Sequence, residues 1–437
     1  MSEQPEAIAV PEMGRVGELE ADVCVVGAGP AGLALALMLL RSGVKVALLE
    51  RSTGLRRDFH GEILQPGGQR ILGDLGVLDA ARERGACTLK GFQVLQDQRL
   101  VLDIDYRRLQ SPYDCLLALP QRHLLQELLA ACRGLPGFTL LEGYRLNALL
   151  RDGDAVTGAV AQRGTGHTAT VRARVVVGAD GRFSRTRMLA GIDAGRTEAF
   201  DQDVVWFALP APGLAPGYVQ VHRTERGALL VHDTHPGRLR IGWTLPHRSW
   251  NRVAALGIDA IRRELTDALP QFAELFREHP PALSDLQLLD VFAAQAQEWV
   301  RDGLMLVGDS AHTHGPIGAQ GINLALQDAA AAHPVLLDAV RAGDASRDRL
   351  LPYEQRRRPA AASVHRMQRI QAKAVLGHGG PVVTRLRSRA AAVVTRSRIG
   401  ERITRKVAYG IDPVDVRTDL FEVTPAAPEA PAPARRA

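Results

Sequence analysis

The sequence predicts an α/β protein in which a parallel strand–helix–strand unit is interrupted by a sheet-rich block and followed by a helical C-terminal segment. Three observations predict it. A buried, β-branched strand at Asp22–Val26 runs into a glycine turn and then an apolar helix. A second buried strand completes the unit within about thirty residues. Residues 190–294 then change to alternating, aromatic-rich strands before apolar strand and helix patterns resume at Leu304 and Ile322.

Composition agrees with an ordinary globular chain. It has 437 residues, 46% apolar and 23% charged, enough for roughly three domain-sized units. Disordered, collagen-like and disulfide-scaffold classes are excluded. Four cysteines, at 24, 87, 115 and 132, form no CxxC pair, so a reducing, cytoplasmic setting is expected. The acidic N-terminus lacks the pattern of a secretory signal. The longest uncharged stretch, Val23–Leu40, is broken early by Gly27, Gly29, Pro30 and Gly32 and ended by Arg41. It reads as strand, turn and helix rather than as a membrane span.

The net charge of +6 is local. Eight basic residues and one acid lie between Arg385 and Lys406, so no nucleic-acid partner is expected. Leu386, Ala390, Val393, Ile399, Ile403 and Val407 fall at helical spacing there. The segment 385–406 is either a solvated basic face or a peripheral contact for anionic lipid.

The elements follow in order. The first twenty residues read as loose. Leu33–Ser42 is helical and ends at Gly43; Val44–Leu49 is a strand closed by Glu50. Phe92–Tyr106 alternates as a hairpin, and Gln121–Cys132 is an amphipathic helix. Leu146–Ala173 reads as a meander with turns at Asp152-Gly153-Asp154 and Gly164-Thr165-Gly166. Arg174–Val177 reads as a separate buried strand. Val204–Leu245 holds several strands, Val253–Glu278 helices, Leu304–Val307 a strand and Ile322–Ala332 a helix. Residues from Arg347 onward are mostly helical, and 424–437 are too rich in Pro and Ala to order. Residues 21–74, 115–190 and 295–345 thus form a discontinuous nucleotide-binding domain. Residues 75–114 and 191–294 form a substrate domain, and 346–423 a helical region.

Gly27-Ala28-Gly29-Pro30-Ala31-Gly32 matches G-x-G-x-x-G between strand and helix. The first glycine permits the tight turn, the second admits a pyrophosphate to the backbone, and the third lets helix pack on strand. The helix N-terminus presents free N–H groups and a positive dipole end to phosphate. Glu50, at the end of the next strand, is placed to accept both hydroxyls of an adenosine ribose. Gly164-Thr165-Gly166 lacks a third glycine and a following helix, so a second dinucleotide docks elsewhere.

These residues resemble the class A flavoprotein monooxygenases, the para-hydroxybenzoate hydroxylase-like family. Val177-Gly178-Ala179-Asp180-Gly181 with Ser184 and Arg187 resembles their second motif. Gly303 through Gly308-Asp309 and His312 resembles their third, and Pro316-Ile317-Gly318-Ala319-Gln320-Gly321-Ile322-Asn323 follows at the family's interval. The resemblance covers roughly Asp22–Ala342. It implies a Rossmann-like FAD-binding domain of the para-hydroxybenzoate hydroxylase type and non-covalent FAD. The implied contacts are Gly27, Gly29, Ala31, Gly32, Glu50, Arg51, Arg122, Asp180, Asp309, Pro316, Gly318, Gly321, Ile322 and Asn323. The resemblance places Asp180 in a motif that serves both FAD and NAD(P)H, and implies that Asp309 contacts the ribityl–pyrophosphate region. Where the family often carries Arg before the glycine of residues 60–66, this chain has His60, with Arg56 and Arg57 upstream.

Independently of the resemblance, the glycine-rich loop at 316–323 leads into a helix. Its N–H groups and dipole suit the negative charge of a reduced flavin. Asp309, His312 and His314 crowd a strand-to-loop turn unsuited to a metal, and no metal is expected. His222, His232, His235 and His247 lie in the strand-rich block. Any could act as a base toward a phenol; His232 and His235 are the catalytic candidates. Trp206, Phe207, Tyr218, Trp243 and Trp250 suit either a flat-substrate pocket or a sheet core.

The expected function is an FAD-dependent monooxygenase that uses NAD(P)H and O₂, through a flavin C4a-hydroperoxide, to hydroxylate or epoxidise an aromatic or polyketide-like small molecule. A prenyl double-bond reductase or a halogenase of the same fold is the alternative. The halogenase tryptophan signature is absent, with Trp243-Thr244-Leu245-Pro246 the nearest text. A non-enzymatic flavin scaffold leaves the sheet-rich block unexplained.

Overall fold

A computed structural model describes residues 15–54, 61–197, 202–224, 227–376 and 397–423. The chain opens with strand β1 (Arg15–Val26), helix α1 (Pro30–Arg41) and strand β2 (Val46–Glu50). Helices α2 (Pro66–Asp74) and α3 (Gln121–Arg133) precede strands β3 (Phe138–Glu142) and β4 (His167–Gly178). The short helix α4 (Arg185–Leu189) leads into β5 (Gln202–Pro210), β6 (Gly227–Thr234) and β7 (Arg238–Pro246). The remaining labelled elements are β8 (Leu304–Leu306), α5 (Gly321–Ala342), α6 (Arg347–Leu376) and α7 (Arg398–Tyr409).

The parallel strands lie in the order β8-β4-β1-β2-β3 within an eight-stranded sheet. α1 is apolar around nearly its whole circumference and is buried from Ala31 to Arg41, as a helix between layers must be. The antiparallel strands Arg145–Asp152 and Ala155–Arg163 join the first half of β4.

Three sequence expectations change here. Arg15–Glu20, read as loose, is strand: it pairs in parallel with Thr168–Arg172 of β4. Leu19 is half-buried between exposed Glu18 and Glu20, which marks a half-exposed strand extension, not a coil. The segment Arg174–Val177 is no separate strand; β4 runs unbroken from the meander into the parallel core. The helix expected at Ile322–Ala332 continues through Pro334 to Ala342, where Gly343 at φ +68° ends it.

A seven-stranded sheet forms the second layer. Its order is Gln287–Leu289, β5, β7, β6, Val219–Thr224, Gly91–Gln96 and Arg99–Asp105. Side chains alternate between faces with period two. Val205, Phe207, Val231, Ile241 and Trp243 pack against helices Ile258–Ala268 and Ala273–Glu278 in a core of their own. Val204, Trp206, His232 and Arg240 take the opposite face, and residues of the first unit meet them there.

Among the described residues, no helix is long and apolar enough to cross a membrane. The positions 1–14, Arg56, Arg57, His60, the basic stretch up to Arg396 and the tail 424–437 lie outside the described residues.

Candidate active site

Three motifs separated by nearly 300 residues meet at the C-terminal ends of β1, β4 and β8. Ala179 N–H donates to the Val26 carbonyl, and Val307 N–H to the Gly178 carbonyl. A Cβ at Gly27 (φ +108°) would lie 2.5 Å from the Ala179 carbonyl oxygen and 3.0 Å from the Asp180 Cα. A Cβ at Gly308 would lie 3.4 Å from that of Ala31. The glycines are thus where the first, second and third motifs touch.

At the first motif, Gly29 caps α1 with no side-chain hydrogen bond, and Pro30 opens the helix. The next N–H groups have no intrahelical acceptor. Glu50 is buried; one carboxylate oxygen accepts the Ala28 N–H at 2.8 Å and the other the Ser52 N–H at 2.9 Å. It therefore holds the glycine turn. A carboxylate offers about four acceptor positions, so this duty is compatible with accepting ribose hydroxyls. Arg51 is exposed just beyond the strand, and Arg122 is exposed at the start of α3.

At the second motif, Asp180 is committed within its own loop. It accepts from the Ser184 hydroxyl at 2.5 Å, and from the Thr186 N–H and hydroxyl at 2.9 and 3.0 Å. Ser184 in turn caps α4. The Arg187 guanidinium, buried and with its pKa lowered by that burial, donates to the Ser310 carbonyl at 2.7 Å. The second motif thereby buttresses the third.

At the third motif, Asp309 stays partly accessible, and Arg182 lies 3.8 Å from its carboxylate. Burial pushes the Asp309 carboxyl up, against the opposing pull of Arg182 and His312. Behind it lies a fully buried hub. Asp328 on α5 accepts from Gly308 N–H at 3.0 Å, meets His312 Nε2 at 2.6 Å and accepts from Arg357 of α6 at 2.8 Å. Burial alone would raise the Asp328 carboxyl, yet His312 and Arg357 hold it below the usual range. His312 Nδ1 and His314 Nε2 are 2.9 Å apart, and the His314 and His365 ring centroids lie 4.0 Å apart with the planes tilted by 54°. His312 thus links Asp328 to His314.

The loop after His314 is partly exposed from Pro316 to Ala319, and it turns through positive φ at Gly318 (+75°) and Ala319 (+50°). Gln320 caps α5 without a side-chain hydrogen bond, which leaves the first N–H groups of a 22-residue helix without intrahelical acceptors. Gly321 is exposed, Ile322 half-buried and Asn323 buried with its Oδ1 unpartnered among the described residues.

The sheet supplies the opposite wall. Trp206, Val204, Leu289 and Val291 form one apolar cluster with Ile317 of the loop and Ala372 of α6. The Arg240 guanidinium lies 5.3 Å from the Trp206 ring centroid and donates to Glu62 at 2.8 Å. The other Glu62 oxygen is buried without a hydrogen-bond partner among the described residues, 3.8 Å from His232 Nδ1. His232 Nδ1 lies 2.9 Å from the Asp233 carbonyl oxygen, and burial lowers its pKa.

The sequence-singled residues therefore divide. The first three motifs and the 316–323 loop come together. Of the aromatic group, Trp206 alone faces the loop; Phe207 and Trp243 belong to the back core, where Trp250 packs, and Tyr218 sits beside Lys90. His235 packs against Gly85 and His123. His222 is on the back face near Gln271, and His247 bonds Asp203 at 2.7 Å. Sequence reasoning missed Glu62, Arg240, Arg357, His365 and Gln368. A signal existed for the last three: positions 357, 361, 364, 365 and 368 share one helix face.

Two uncapped helix N-termini, a glycine cradle and a carboxylate at the ribose position fit FAD. Known proteins agree. A family profile described as FAD binding domain matches residues 20–368. The chain is 47% identical over 401 residues to 6-methylpretetramide 4-monooxygenase of Streptomyces rimosus, covering 92% of this chain and 95% of that protein. It resembles the solved anhydrotetracycline hydroxylase OxyS of Streptomyces rimosus (TM-score 0.70, 25% identity, 89% of this chain and 76% of that one). The fold is also that of pqsL, a probable FAD-dependent monooxygenase from Pseudomonas aeruginosa (TM-score 0.72, 23% identity, 85% and 99%).

Proposed function

The chain belongs to the FAD-binding-domain family of class A flavin monooxygenases, and from that premise we propose that it hydroxylates a flat, fused-ring aromatic of the polyketide type, with NAD(P)H as reductant and O₂ as oxidant. The observation that carries the substrate reading is the single apolar cluster joining Trp206 of the sheet to Ile317 of the loop beside the uncapped α5. A flat aromatic fits between an indole and such a loop. The relative with 47% identity is named for a monooxygenation of 6-methylpretetramide, which supports the same substrate class.

When bound, FAD supplies the path by which nicotinamide electrons reach O₂. The residues of the chain do the rest. The Gly27–Gly32 turn and the α1 N-terminus hold the pyrophosphate, Glu50 the adenosine ribose, and Asp309 the ribityl region. Gly318, Gly321, Ile322 and Asn323 offer N–H groups to the electron-rich end of the ring system. Trp206, Val204 and Ile317 exclude water from the substrate. Glu62 accepts a substrate hydroxyl, while Arg240 balances its charge. His232 donates Nδ1–H to the Asp233 carbonyl, which leaves Nε2 as its acceptor. A reducing, cytoplasmic setting suits the four free cysteines, of which Cys24 and Cys132 are buried with thiols pushed up to about 12.

The test is a panel of fused three- and four-ring hydroxyarenes set against single-ring phenols. Fused-ring compounds should accelerate NAD(P)H oxidation by the FAD-loaded protein. Stimulation confined to single-ring phenols would overturn the substrate class.

A further inference from the structure

The loop beside the proposed flavin is held by a helix to which the motifs assign nothing. Gln368 of α6 is 1% exposed, and its Nε2 donates to two loop carbonyls, Gly315 at 2.9 Å and Ile317 at 2.7 Å. One turn earlier, His365 Nε2 lies 2.9 Å from the Thr313 carbonyl oxygen. From the other side, Gln65 Nε2 and Gln320 Nε2 donate to the Gly318 carbonyl at 2.8 and 3.0 Å. The carbonyls of residues 313, 315, 317 and 318 are thus all drawn into the protein.

In a planar trans peptide the C=O and N–H point in opposite directions. Anchoring the Ile317 carbonyl on Gln368 therefore turns the Gly318 N–H away from α6. The Ala319 N–H is already spent on the Pro316 carbonyl. What stays presented is the Gly318 N–H together with the first N–H groups of α5. The anchor itself is rigid. Eleven residues before Gln368, Arg357 is fully buried and bonds Asp328 at 2.8 Å and Gln327 at 3.2 Å, both on α5. About 16 Å of helix separates the two contacts, so α6 is registered against α5 at one end and reaches the loop at the other.

We propose that Gln368 is a positioning residue for the flavin: its amide fixes the 317–318 peptide so that the loop and the α5 N-terminus hold their donors toward the negative charge of the reduced ring. This rests on the FAD reading above. Removing the amide frees two buried carbonyls, lets the peptide turn, and weakens binding of the reduced flavin more than that of the oxidised one.

The variant Gln368→Met keeps the length of the side chain and removes its donors. The holoenzyme midpoint potential, from dye-equilibrated reduction, and the dissociation constant for oxidised FAD are the readouts. The preference for reduced over oxidised flavin should fall about tenfold, which for two electrons is a potential about 30 mV more negative. Ile370→Ala, at an exposed position on the same helix, should leave the potential at the wild-type value. If Gln368→Met does not fold, Gln368→His retains one donor and should shift the potential less, in the same direction. A lowered melting temperature with an unmoved potential would mean a purely structural role and would overturn the inference. A wild-type protein without FAD would instead remove the proposed function on which it rests.

Discussion

Replacing Gly32 with alanine tests the phosphate cradle at its tightest point. The added Cβ would lie 2.0 Å from the Gly27 carbonyl oxygen and 3.2 Å from the Ala179 Cβ. Ordinary van der Waals contact begins at 3.4 Å, so the first turn of α1 must withdraw by about 1.4 Å. The Gly27 oxygen belongs to backbone and cannot swing aside. The N–H groups of Ala31 and Gly32, which have no intrahelical acceptor, retreat with the helix. A charge-assisted hydrogen bond contributes about 1.5–3 kcal/mol, and 1.4 Å of extension takes such a bond past its useful range. Losing two costs about 3 kcal/mol or more, roughly a hundredfold or more in the FAD dissociation constant. Overpacking separately destabilises the apoprotein by about 1–3 kcal/mol. Fluorescence titration of apoprotein with FAD reads the first effect, and urea unfolding of the apoprotein the second. A destabilised variant that binds FAD within about threefold of wild type would refute the placement of the pyrophosphate.

Three further outcomes follow from the same geometry. Asp328→Asn leaves the Arg357 guanidinium buried and without its carboxylate, and should cost about 3–5 kcal/mol in urea unfolding; a loss below about 1 kcal/mol would show that the hub carries little stability. His222 and His333 are buried, and burial lowers each pKa from 6.5 to about 4. Between those values the unfolded chain binds more protons, so stability should be fully present above pH 6.5 and fall on acidification by roughly 3 kcal/mol per histidine. Equal urea midpoints at about pH 7.5 and pH 4.5 would contradict this. Glu62→Gln should raise the KM of a hydroxylated substrate roughly ten- to hundredfold and leave that of its O-methyl ether nearly unchanged, whereas equal effects on both would remove Glu62 from hydroxyl recognition.

The parts of this site legible in the sequence are those where backbone geometry dictates residue type. Gly27 and Gly32 mark close approaches that a Cβ would obstruct and Gly308 a turn at φ +61°, and such positions announce themselves as glycine motifs. Sheet faces were legible in principle: period two separates Trp206 from Val205 and Phe207, although composition groups them together. The role of α6 was only faintly legible. Positions 357, 361, 364, 365 and 368 share one face of an Arg- and Ala-rich helix, but nothing in the helix names what that face meets. Arg357 is buried because Asp328, nearly thirty residues away on another helix, demands a cation. Asp180 shows a different limit. The resemblance implies a cofactor contact for it; the structure adds that its carboxylate accepts from Ser184 and Thr186 and so holds its own loop. A motif announces a turn more readily than the hydrogen bonds that hold it.

The most direct test supplies the FAD-loaded protein with NADPH, ¹⁸O₂ and a fused-ring probe such as anhydrotetracycline, and weighs the product. The expected outcome is NADPH oxidation stimulated by the probe, O₂ uptake to match, and one labelled oxygen atom in the organic product. Turnover that persists without O₂, or NADPH oxidation that leaves the probe unlabelled, would contradict it.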